Sequence, residues 1–215
     1  MTLSTVSQNS RSYAANGLDL QESYTMNFKQ THFATSAATL KDCPADSRAE
    51  VAFAGRSNAG KSSAINTITT QSRLARISKT PGRTQLINFF EVTALHYIAD
   101  LPGYGYAKVP LKIKNKWQLE LERYLRQRES LVGLILLSDI RHDMKDFDLM
   151  MIDWAVHSNL PLHLLLTKSD KLKRGPAQNA LLKAQKALEK HKNITIQIFS
   201  SVKKTGVEEV REVLK

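Results

Sequence analysis

The sequence feature that most constrains the fold is the segment at residues 55–62, GRSNAGKS, which directly follows an apolar run at residues 51–54. A short buried strand, a glycine-rich loop and a following helix form the context in which the pattern G-x-x-x-x-G-K-[ST] binds phosphate. Glycines let the backbone curl so that successive N–H groups point at anionic oxygens. A glycine turn can match this pattern by chance, but the flanking strand and helix favour a phosphate-binding loop.

Individual residues of this loop have chemical roles in the hypothesis. The helix that starts near Ser62 presents its positive N-terminal end to the phosphates. Lys61 supplies a point charge for the β- and γ-phosphates, and the Ser62 hydroxyl is placed to ligate Mg²⁺. The residues predicted to bind nucleotide here are Gly55, Arg56, Ser57, Asn58, Ala59, Gly60, Lys61, Ser62 and Ser63.

A second motif, DLPG at residues 100–103, follows a predicted strand at residues 95–99. Asp100 at a strand end can hold Mg²⁺ through its water shell, while the Gly103 N–H can reach a γ-phosphate oxygen. By itself the pattern is also an ordinary turn. The predicted nucleotide-binding residues of this motif are Asp100, Leu101, Pro102 and Gly103.

Two later segments point to the base of the nucleotide. The apolar run at residues 160–166 leads into TKSD at residues 167–170. Asp170 can accept hydrogen bonds from the N1–H and exocyclic amine of guanine, and the stem of Lys168 can cover a base face. A strand at residues 194–199 leads into a loop of small residues whose backbone can contact the guanine carbonyl, although each segment alone is compatible with a solvated loop. The predicted residues are Thr167, Lys168, Ser169, Asp170, Phe199, Ser200 and Ser201. Because four motifs follow predicted strands in this order, the sequence indicates a GTP-binding domain.

Four blocks of sequence resemble the EngB/YihA/YsxC group of small bacterial GTPases. They are residues 55–63 (GRSNAGKSS), 79–89 (KTPGRTQLINF), 100–107 (DLPGYGYA) and 139–142 (DIRH). The resemblance covers about residues 26–215, and the second and third blocks are specific to that group. One departure is Ser169, where alanine is commoner, at a position not expected to touch the base.

The resemblance implies a GTPase of the bacterial cytoplasm that acts as a molecular switch in assembly of the large ribosomal subunit and is needed for normal cell division and septation. It implies GTP or GDP as ligand and Mg²⁺ as cofactor, with Ser62, Thr84 and Asp100 at the metal and Lys61 and Thr84 in catalysis. A threonine in a polar loop is ordinarily only solvated, so Thr84 depends on the resemblance. The additional predicted nucleotide-binding residues are Gly82, Arg83, Thr84, Gln85 and Leu86.

Hydrolysis requires an oriented water, which many GTPases hold with a glutamine directly after D-x-x-G. Here that position is Tyr104, which cannot serve as a base or amide, so we expect slow intrinsic turnover accelerated by a partner or a monovalent cation. In related GTPases an asparagine at the position of Asn58 helps hold a potassium ion, which makes Asn58 a third candidate for catalysis. Asparagine is also a common turn residue, so both interpretations of Asn58 stay open.

The formal net charge of +11 is the main indication of partners. Basic residues cluster at 108–116, continue as Arg123, Arg126 and Arg128, and recur at 171–174 and 183–192. A basic face is the footprint of proteins that dock on phosphate backbone, but charged helix faces are usually only solvated. The resemblance favours the large ribosomal subunit or its rRNA as partner. One alternative is a nucleotide-gated, protein-binding regulator of division with no RNA contact. Another is a kinase or ATPase, which the TKSD motif disfavours.

Length and composition predict one domain. A chain of 215 residues with 42% hydrophobic content suffices for one sizeable core. We expect residues 1–25 to be a disordered tail and residues 26–215 to be a single GTP-binding domain, monomeric and cytoplasmic. The single cysteine, Cys43, excludes an intrachain disulfide, and no apolar run approaches the ~18 residues of a membrane-spanning helix.

The predicted fold class is α/β, a phosphate-loop GTPase domain with a mostly parallel six-stranded sheet, one antiparallel strand, and helices on both faces. Residues 26–48 are unassigned, and residues 71–82 and 102–110 are predicted switch loops. Strands are predicted at 50–54, 86–92, 95–99, 132–137, 162–166 and 194–199. Helices are predicted at 61–69, 113–127, 145–157, 177–190 and 206–214.

Overall fold

The computed structural model of the protein describes residues 26–45, 47–75, 86–104 and 111–215, without the side chains of residues 111–118. Strands and helices alternate along most of this length, as the sequence predicts. In chain order the elements are β1 (His32–Ala37), β2 (Ala49–Gly55), α1 (Lys61–Ile68), β3 (Ile87–Thr93), β4 (His96–Asp100), α2 (Leu111–Gln127), β5 (Leu131–Asp139), α3 (Asp146–His157), β6 (Leu162–Thr167), α4 (Arg174–Leu188), β7 (Ile194–Ile198) and α5 (Val207–Val213).

The strands of the described residues form one sheet in the order β1-β3-β4-β2-β5-β6-β7. The neighbours from β4 through β7 pair in parallel. Strand β3 runs antiparallel to both of its neighbours, β1 and β4. The predicted fold class is therefore confirmed: each of the six predicted strands is present, and one strand runs against the others.

The sheet nevertheless has one strand more than predicted. Strand β1 lies in the segment 26–48 that the sequence leaves unassigned, and it pairs with β3 at the edge of the sheet. Of its six residues only Ala37 is buried, while Phe33 is 52% exposed. An edge strand whose side chains mostly face outward carries no alternating apolar pattern, so periodicity alone cannot detect it.

All five predicted helices are present, with a shifted start for α4. The predicted start at residue 177 is wrong by three residues, because the helix begins at Arg174 and includes Gly175 and Pro176. Proline is tolerated in the first turn of a helix, where its missing N–H removes no intrahelical hydrogen bond. The Gly-Pro pair therefore belongs to the helix.

The core has two layers, one on each face of the sheet. Side chains of α2, α3 and α4 pack in one layer, and side chains of α1 and α5 pack in the other. Successive residues of β5 alternate between them: Leu134 and Leu136 face the first layer, and Ile135 and Leu137 face the second. A strand buried on both faces reads as a continuous apolar run, which explains the sequence of residues 131–137.

A buried ion pair fixes α2 at the N-terminal end of β2. Glu50 is fully buried and accepts hydrogen bonds from the Tyr124 hydroxyl at 2.9 Å and from Arg128 Nε at 2.9 Å. Arg128 also donates to the Pro44 carbonyl at 2.6 Å. The opposite end of β2, at Gly55, enters the predicted phosphate loop. The two ends of this strand therefore carry a structural anchor and a candidate site.

Membrane-spanning length is not reached by any described helix: none combines enough residues with enough apolar character.

The carboxyl ends of β2, β4, β5 and β6 meet at one edge of the sheet because these strands are parallel. In open parallel sheets ligands bind at this edge. All four motifs found in the sequence follow strands that end there or at the neighbouring β7.

Candidate nucleotide-binding site

The two glycines of the phosphate loop serve different purposes. Gly60 has a φ of +97°, a left-handed conformation that favours glycine, and it directly precedes α1. At Gly55 a Cβ atom would lie 2.9 Å from the carbonyl oxygen of Leu137 on β5. The φ of Gly55 lies outside the left-handed range, so backbone curl does not by itself require glycine here. The position requires glycine because the neighbouring strand passes too close for a side chain.

Lys61 and Asp100 are in direct contact at the edge of the sheet. Lys61 is the first residue of α1, Asp100 is the last residue of β4, and Lys61 Nζ donates to Asp100 Oδ1. Their side chains are only 11% and 9% exposed. Hydrogen bonds between charged groups are roughly twice as strong as neutral ones. The structure therefore brings together the predicted phosphate-binding lysine and the predicted magnesium-orienting aspartate.

The turn after β4 lies against the phosphate loop through its backbone. Ser57 N donates to the Tyr104 carbonyl at 2.8 Å, and Tyr104 N donates to the Gly55 carbonyl at 3.4 Å. A Cβ atom on Gly103 would lie 3.4 Å from both Ser57 N and Ser57 Cα. The loop and the turn are therefore adjacent and tightly packed, as a shared contact with phosphate requires.

The side chain of Tyr104 points away from this edge into α3. It is 4% exposed, its ring stacks on Phe147 with centroids 3.7 Å apart, and its hydroxyl donates to Asp148 Oδ1. Burial, together with the hydrogen bond to Asp148, raises the pKa of Tyr104 well above its usual value. The hydroxyl is therefore a permanent donor to Asp148 and is not placed to orient a water for hydrolysis.

Thr167, in the guanine motif, bonds the phosphate loop. Its hydroxyl donates to the Ala59 carbonyl at 2.6 Å and lies 3.1 Å from the Ser138 carbonyl, and the residue is 2% exposed. A buried hydroxyl with good partners contributes about 1 kcal/mol to stability. Thr167 is predicted as a nucleotide contact, but the structure gives it a supporting position between two motifs.

Lys168 is held by Asp139 from the end of β5. Lys168 has a φ of 59°, and its Nζ lies 3.0 Å from Asp139 Oδ2. Arg141 Nε and Nη2 also bond the Asp139 carboxylate, at 2.9 and 2.7 Å. Burial alone would raise the pKa of Asp139, but the hydrogen bonds from Arg141 and Lys168 hold it well below its usual range. Asp139 is thus an ionised anchor for the lysine predicted to cover the base.

Asp139 is a functional candidate that the predicted site omits. The available signal was the DIRH block at residues 139–142, which carries it. Asp148 is also missing from the prediction, and it had no such signal. Its partner Tyr104 is 44 residues away in sequence, and only the packing of α3 brings them together.

Asp170 is fixed by the loop after β7. Ser200 Oγ donates to Asp170 Oδ1 at 2.7 Å, and Lys203 N donates to Ser200 Oγ at 3.1 Å. The hydrogen bond from Ser200, which is fully buried, lowers the pKa of Asp170. The carboxylate predicted to accept from guanine is therefore ionised at neutral pH and held in one orientation.

Among the other predicted residues, Arg56 is exposed, and Ala59 is 4% exposed and belongs to the core. The rest divide into three groups. Leu101 and Phe199 are 1% and 0% exposed and belong to the core, so their side chains support the site from behind. Four positions lie outside the described residues: Gly82, Arg83, Thr84 and Gln85. The residues of intermediate exposure, accessible at or near the edge, are Ser57, Gly60, Ser62, Ser63, Leu86, Pro102, Gly103, Ser169 and Ser201.

Asn58 is exposed and has a φ of 66°. Asparagine is several-fold enriched among non-glycine residues in this left-handed conformation. The loop backbone therefore supplies its own reason for asparagine at this position. A potassium site at Asn58 stays a prediction.

The residues at this edge fit a magnesium ion. In nucleotide sites Mg²⁺ is held by one or two protein oxygens, with phosphate and water as the other ligands. No group of three or more His, Cys, Asp or Glu side chains suited to a metal occurs in the part of the chain that the structure describes. Ser62 follows the lysine that contacts Asp100, so a hydroxyl and a carboxylate are available together. These two donors suit a Mg²⁺ ion that takes its other ligands from the nucleotide phosphates and from water.

The structure describes only part of the predicted basic face. Lys183 pairs with Asp143 at 2.6 Å, while the exposed basic residues of the second cluster include Lys173, Arg174, Lys186, Lys190 and Lys192. The predicted contribution of Arg128 is wrong, because it bonds buried Glu50. Lys108 and the side chains of residues 112, 114 and 116 are not among the parts of the chain that the structure describes.

Comparison with known proteins agrees with the geometry. A family model described as 50S ribosome-binding GTPase matches residues 50–168. The curated "Probable GTP-binding protein EngB" of Aeromonas hydrophila subsp. hydrophila is 53% identical over 194 residues, which cover 90% of each chain.

Solved structures show the same fold. A crystal structure of a probable GTP-binding protein engB aligns with a TM-score of 0.61 and 21% identity over 76% of this chain and 95% of that one. The structure of Era in complex with MgGDPNP and nucleotides 1506–1542 of 16S ribosomal RNA aligns with a TM-score of 0.57 and 24% identity over 77% of this chain and 55% of that one.

Fold, phosphate loop and family model together define a GTP-binding protein of the phosphate-loop GTPase class. The 53% identity over nine-tenths of the chain is specific enough to go one step further. The chain belongs to the EngB family of GTP-binding proteins, and the resemblance found in the sequence is confirmed.

Proposed function

We propose that this GTPase switches between GTP and GDP states during assembly of the large ribosomal subunit, and through that role supports normal cell division and septation. The observation that carries the assignment of the site is the bond from Thr167 to Ala59 at 2.6 Å. It joins the guanine motif to the phosphate loop through one buried side chain, and so fixes the distance between base and phosphates.

The base is read by a carboxylate and covered by a lysine stem. Asp170, oriented by Ser200, accepts hydrogen bonds from the guanine N1–H and exocyclic amine, two donors that adenine does not present together. Lys168, oriented by Asp139, lays its aliphatic stem along one face of the base. The backbone of residues 200–201 contacts the guanine carbonyl.

The phosphates occupy the loop at residues 55–63. Lys61 exchanges its contact with Asp100 for the β- and γ-phosphates, and the loop N–H groups surround the anionic oxygens. Mg²⁺, when bound, neutralises charge on the β- and γ-phosphates. Ser62 and Thr84 would be its direct protein ligands, and Asp100 would orient its waters.

Hydrolysis by this site is slow without an activator. The residue after D-x-x-G is Tyr104, whose hydroxyl is bonded to Asp148 and therefore does not position a water. Activation comes from a ribosomal partner or from a potassium ion held with the help of Asn58, which would stabilise the charge that develops on the phosphates.

The working unit is a single GTP-binding domain at residues 26–215, preceded by a tail at residues 1–25. The continuity of one sheet from β1 to β7 supports the single domain. We assign it to the bacterial cytoplasm as a monomer, in keeping with its family.

The partner surface is electrostatic. The family model is described as ribosome-binding, the related Era structure contains ribosomal RNA, and this chain carries a net charge of +11. Lysine and arginine side chains that neutralise RNA phosphates release counterions, so the strength of such binding falls steeply with salt. The basic residues that follow the second motif in the sequence and the exposed basic residues along α4 are suited to this role.

Co-sedimentation with large ribosomal subunits tests the proposal. The wild type is compared in GDP and in a non-hydrolysable GTP analogue, over a series of salt concentrations. We expect stronger association with the analogue, and a log–log salt slope of about −0.7 to −0.9 per neutralised phosphate. Reversal of Lys112, Lys114 and Lys116 to glutamate is expected to abolish association while GTP affinity is retained.

A charge-matched control separates a specific surface from total charge. Reversal of the exposed residues Lys29, Lys41 and Lys215 to glutamate changes the net charge equally but leaves the two basic clusters intact. This control variant is expected to sediment with the subunits. Salt-independent association, or normal association of the Lys112, Lys114 and Lys116 variant, would favour a protein-binding regulator of division that makes no RNA contact.

A further inference from the structure

Tyr104 links the turn of the second nucleotide motif to the phosphate loop and to a helix that takes no part in the proposed reaction. Its backbone bonds Gly55 and Ser57 of the phosphate loop. Its side chain contacts Phe147 and Asp148 at the start of α3. The turn that carries the second nucleotide motif is therefore attached on one side to the phosphate loop and on the other to a helix outside the site.

Asp148 is a buried carboxylate with two separate partners. It is 1% exposed; its Oδ2 accepts from Lys145 N at 3.0 Å, and its Oδ1 accepts from the Tyr104 hydroxyl. The first bond satisfies a backbone N–H at the N-terminal end of α3. A buried carboxylate that loses a hydrogen bond is strongly disfavoured. Asp148 therefore opposes any displacement of the Tyr104 side chain.

The ring of Tyr104 adds a second restraint. It stacks on Phe147 with an interplanar angle of 26° and is almost fully buried. Because the stacked ring and the bonded hydroxyl are restrained together, the side chain has one well-defined position. A fixed side chain in turn restrains the backbone of residue 104.

Gly103 is the residue whose placement depends most on this restraint. It immediately precedes Tyr104, and the space for a Cβ atom on it is limited by Ser57 N and Ser57 Cα at 3.4 Å. A small shift of Tyr104 away from α3 must move Gly103 relative to the phosphate loop. The position of the Gly103 N–H is thus set from outside the site.

We propose that Tyr104 and Asp148 are positioning residues that hold the turn at residues 100–103 against the phosphate loop and thereby set the affinity of the site for GTP relative to GDP. The proposal rests on the proposed contact between the Gly103 N–H and the γ-phosphate. GDP lacks that phosphate, so weakening the restraint lowers affinity for the triphosphate more than for the diphosphate. Asp148 acts through Tyr104 and touches no nucleotide.

The ratio of two dissociation constants tests the proposal. Calorimetric titration of the full chain with GDP and with a non-hydrolysable GTP analogue, at fixed Mg²⁺, gives the ratio for wild type and Tyr104→Phe. The phenylalanine keeps the stacked ring and removes only the hydroxyl. We expect affinity for the analogue to fall roughly three- to tenfold, the effect of one lost hydrogen bond, and affinity for GDP to change less than about twofold.

The chain contains a matched control for the loss of a buried tyrosine hydroxyl. Tyr124 also donates to a buried carboxylate, Glu50, at the N-terminal end of β2. Tyr124→Phe therefore removes the same kind of bond at the end of β2 that lies opposite the phosphate loop. We expect both Tyr124→Phe and Tyr104→Phe to lower the melting temperature, and Tyr124→Phe to leave the ratio of the two dissociation constants at the wild-type value.

Two further variants separate the possible failures. Asp148→Asn retains an acceptor for the Tyr104 hydroxyl and is expected to lie between wild type and Tyr104→Phe. Gly103→Ala is expected to lower affinity for the analogue selectively, which tests the γ-phosphate contact itself. If Gly103→Ala is selective and Tyr104→Phe is not, the positioning role is wrong. If Gly103→Ala changes both affinities equally, the assignment of Gly103 is wrong. A Tyr104→Phe variant that binds the analogue more tightly would also overturn the proposal.

Discussion

The guanine end and the γ-phosphate end of the site are held together in different ways. At the guanine end, Ser200 bonds Asp170 and Lys168 pairs with Asp139, side chain to side chain, and the Thr167 hydroxyl donates to the backbone carbonyl of Ala59 in the phosphate loop. At the γ-phosphate end, the turn at residues 100–103 is held by backbone hydrogen bonds, by the bond from Lys61 to Asp100, and by the buried side chain of the neighbouring Tyr104.

This difference separates recognition from switching. Groups that read the base must be in place before nucleotide binds, and fixed partners provide this at the guanine end. Groups that sense the γ-phosphate must have two arrangements, and Lys61 already bonds Asp100, a partner it has to exchange for phosphate. We therefore expect the predicted base-reading groups to be preorganised and the predicted phosphate-reading groups to respond to which nucleotide is bound.

The largest effect is expected at Asp170. Asp170→Asn removes an acceptor of two guanine donors and is expected to cost about 2–4 kcal/mol of GTP affinity. The variant should also gain affinity for xanthine nucleotides, whose 2-oxo group needs a donor. Calorimetric titration with GTP and XTP measures both changes.

The matched control for this change is Asp143→Asn. Asp143 is exposed and pairs with Lys183 at 2.6 Å, so the variant loses one charge at a surface ion pair. Exposed pairs of this kind contribute about 0–1 kcal/mol. Unchanged GTP binding in Asp170→Asn would mean that the fourth motif does not read the base.

A smaller effect is expected when the support of Asp170 is removed. Ser200→Ala deletes the hydroxyl that orients the carboxylate and lowers its pKa. We expect GTP and GDP affinities to fall equally, by about 1–2 kcal/mol, since the change lies at the base rather than the phosphates.

The same variant has a pH signature. A lowered pKa means that the ionised form persists as the pH falls, and that binding is lost only when the pH passes below the folded-state pKa. Without the Ser200 hydroxyl the pKa of Asp170 rises, so GDP affinity is expected to decline at a higher pH than in the wild type. Titrations with GDP from neutral pH to below the ordinary carboxyl value of 3.8 measure this shift. Coincident acid limbs would show that Ser200 does not support the base-reading carboxylate.

The sequence predicts the nucleotide motifs better than it predicts the contacts that support them. Each of the four motifs follows its predicted strand, because strand-loop-helix patterns are local and carry strong periodicity. The support of the motifs is not local. Asp148 looks like an ordinary acidic residue in the first turn of a helix, and its role depends on a contact with Tyr104 across 44 positions.

Two details show why local reasoning fails. Gly55 matches the loop pattern, but its requirement for glycine comes from Leu137 on a neighbouring strand. Strand β1 has no apolar alternation because it is an edge strand with outward side chains, and its pairing with β3 is a tertiary property. In both cases the deciding contact lies between segments that are distant in sequence.

The smallest effect is expected at Asn58 in the phosphate loop, and it depends on whether a potassium ion binds there. If the loop holds a potassium ion, single-turnover hydrolysis is faster in potassium than in sodium at equal ionic strength, and Asn58→Ala removes the difference while GTP affinity is kept. The left-handed φ of 66° makes Asn58→Gly the matched variant, because glycine adopts this backbone without strain. Equal rates in both salts would leave a protein or RNA partner as the source of activation.

Hydrogen exchange in the two nucleotide states tests most directly whether the base end is preorganised and the phosphate end responds to the γ-phosphate. Exchange is measured with saturating GDP and with a saturating non-hydrolysable GTP analogue, by mass spectrometry of peptides. We expect amides at residues 100–104 to exchange more slowly with the analogue, and amides at residues 167–170 and 200–203 to exchange equally in both states. A difference at the guanine end as large as that at residues 100–104 would contradict this division of the site.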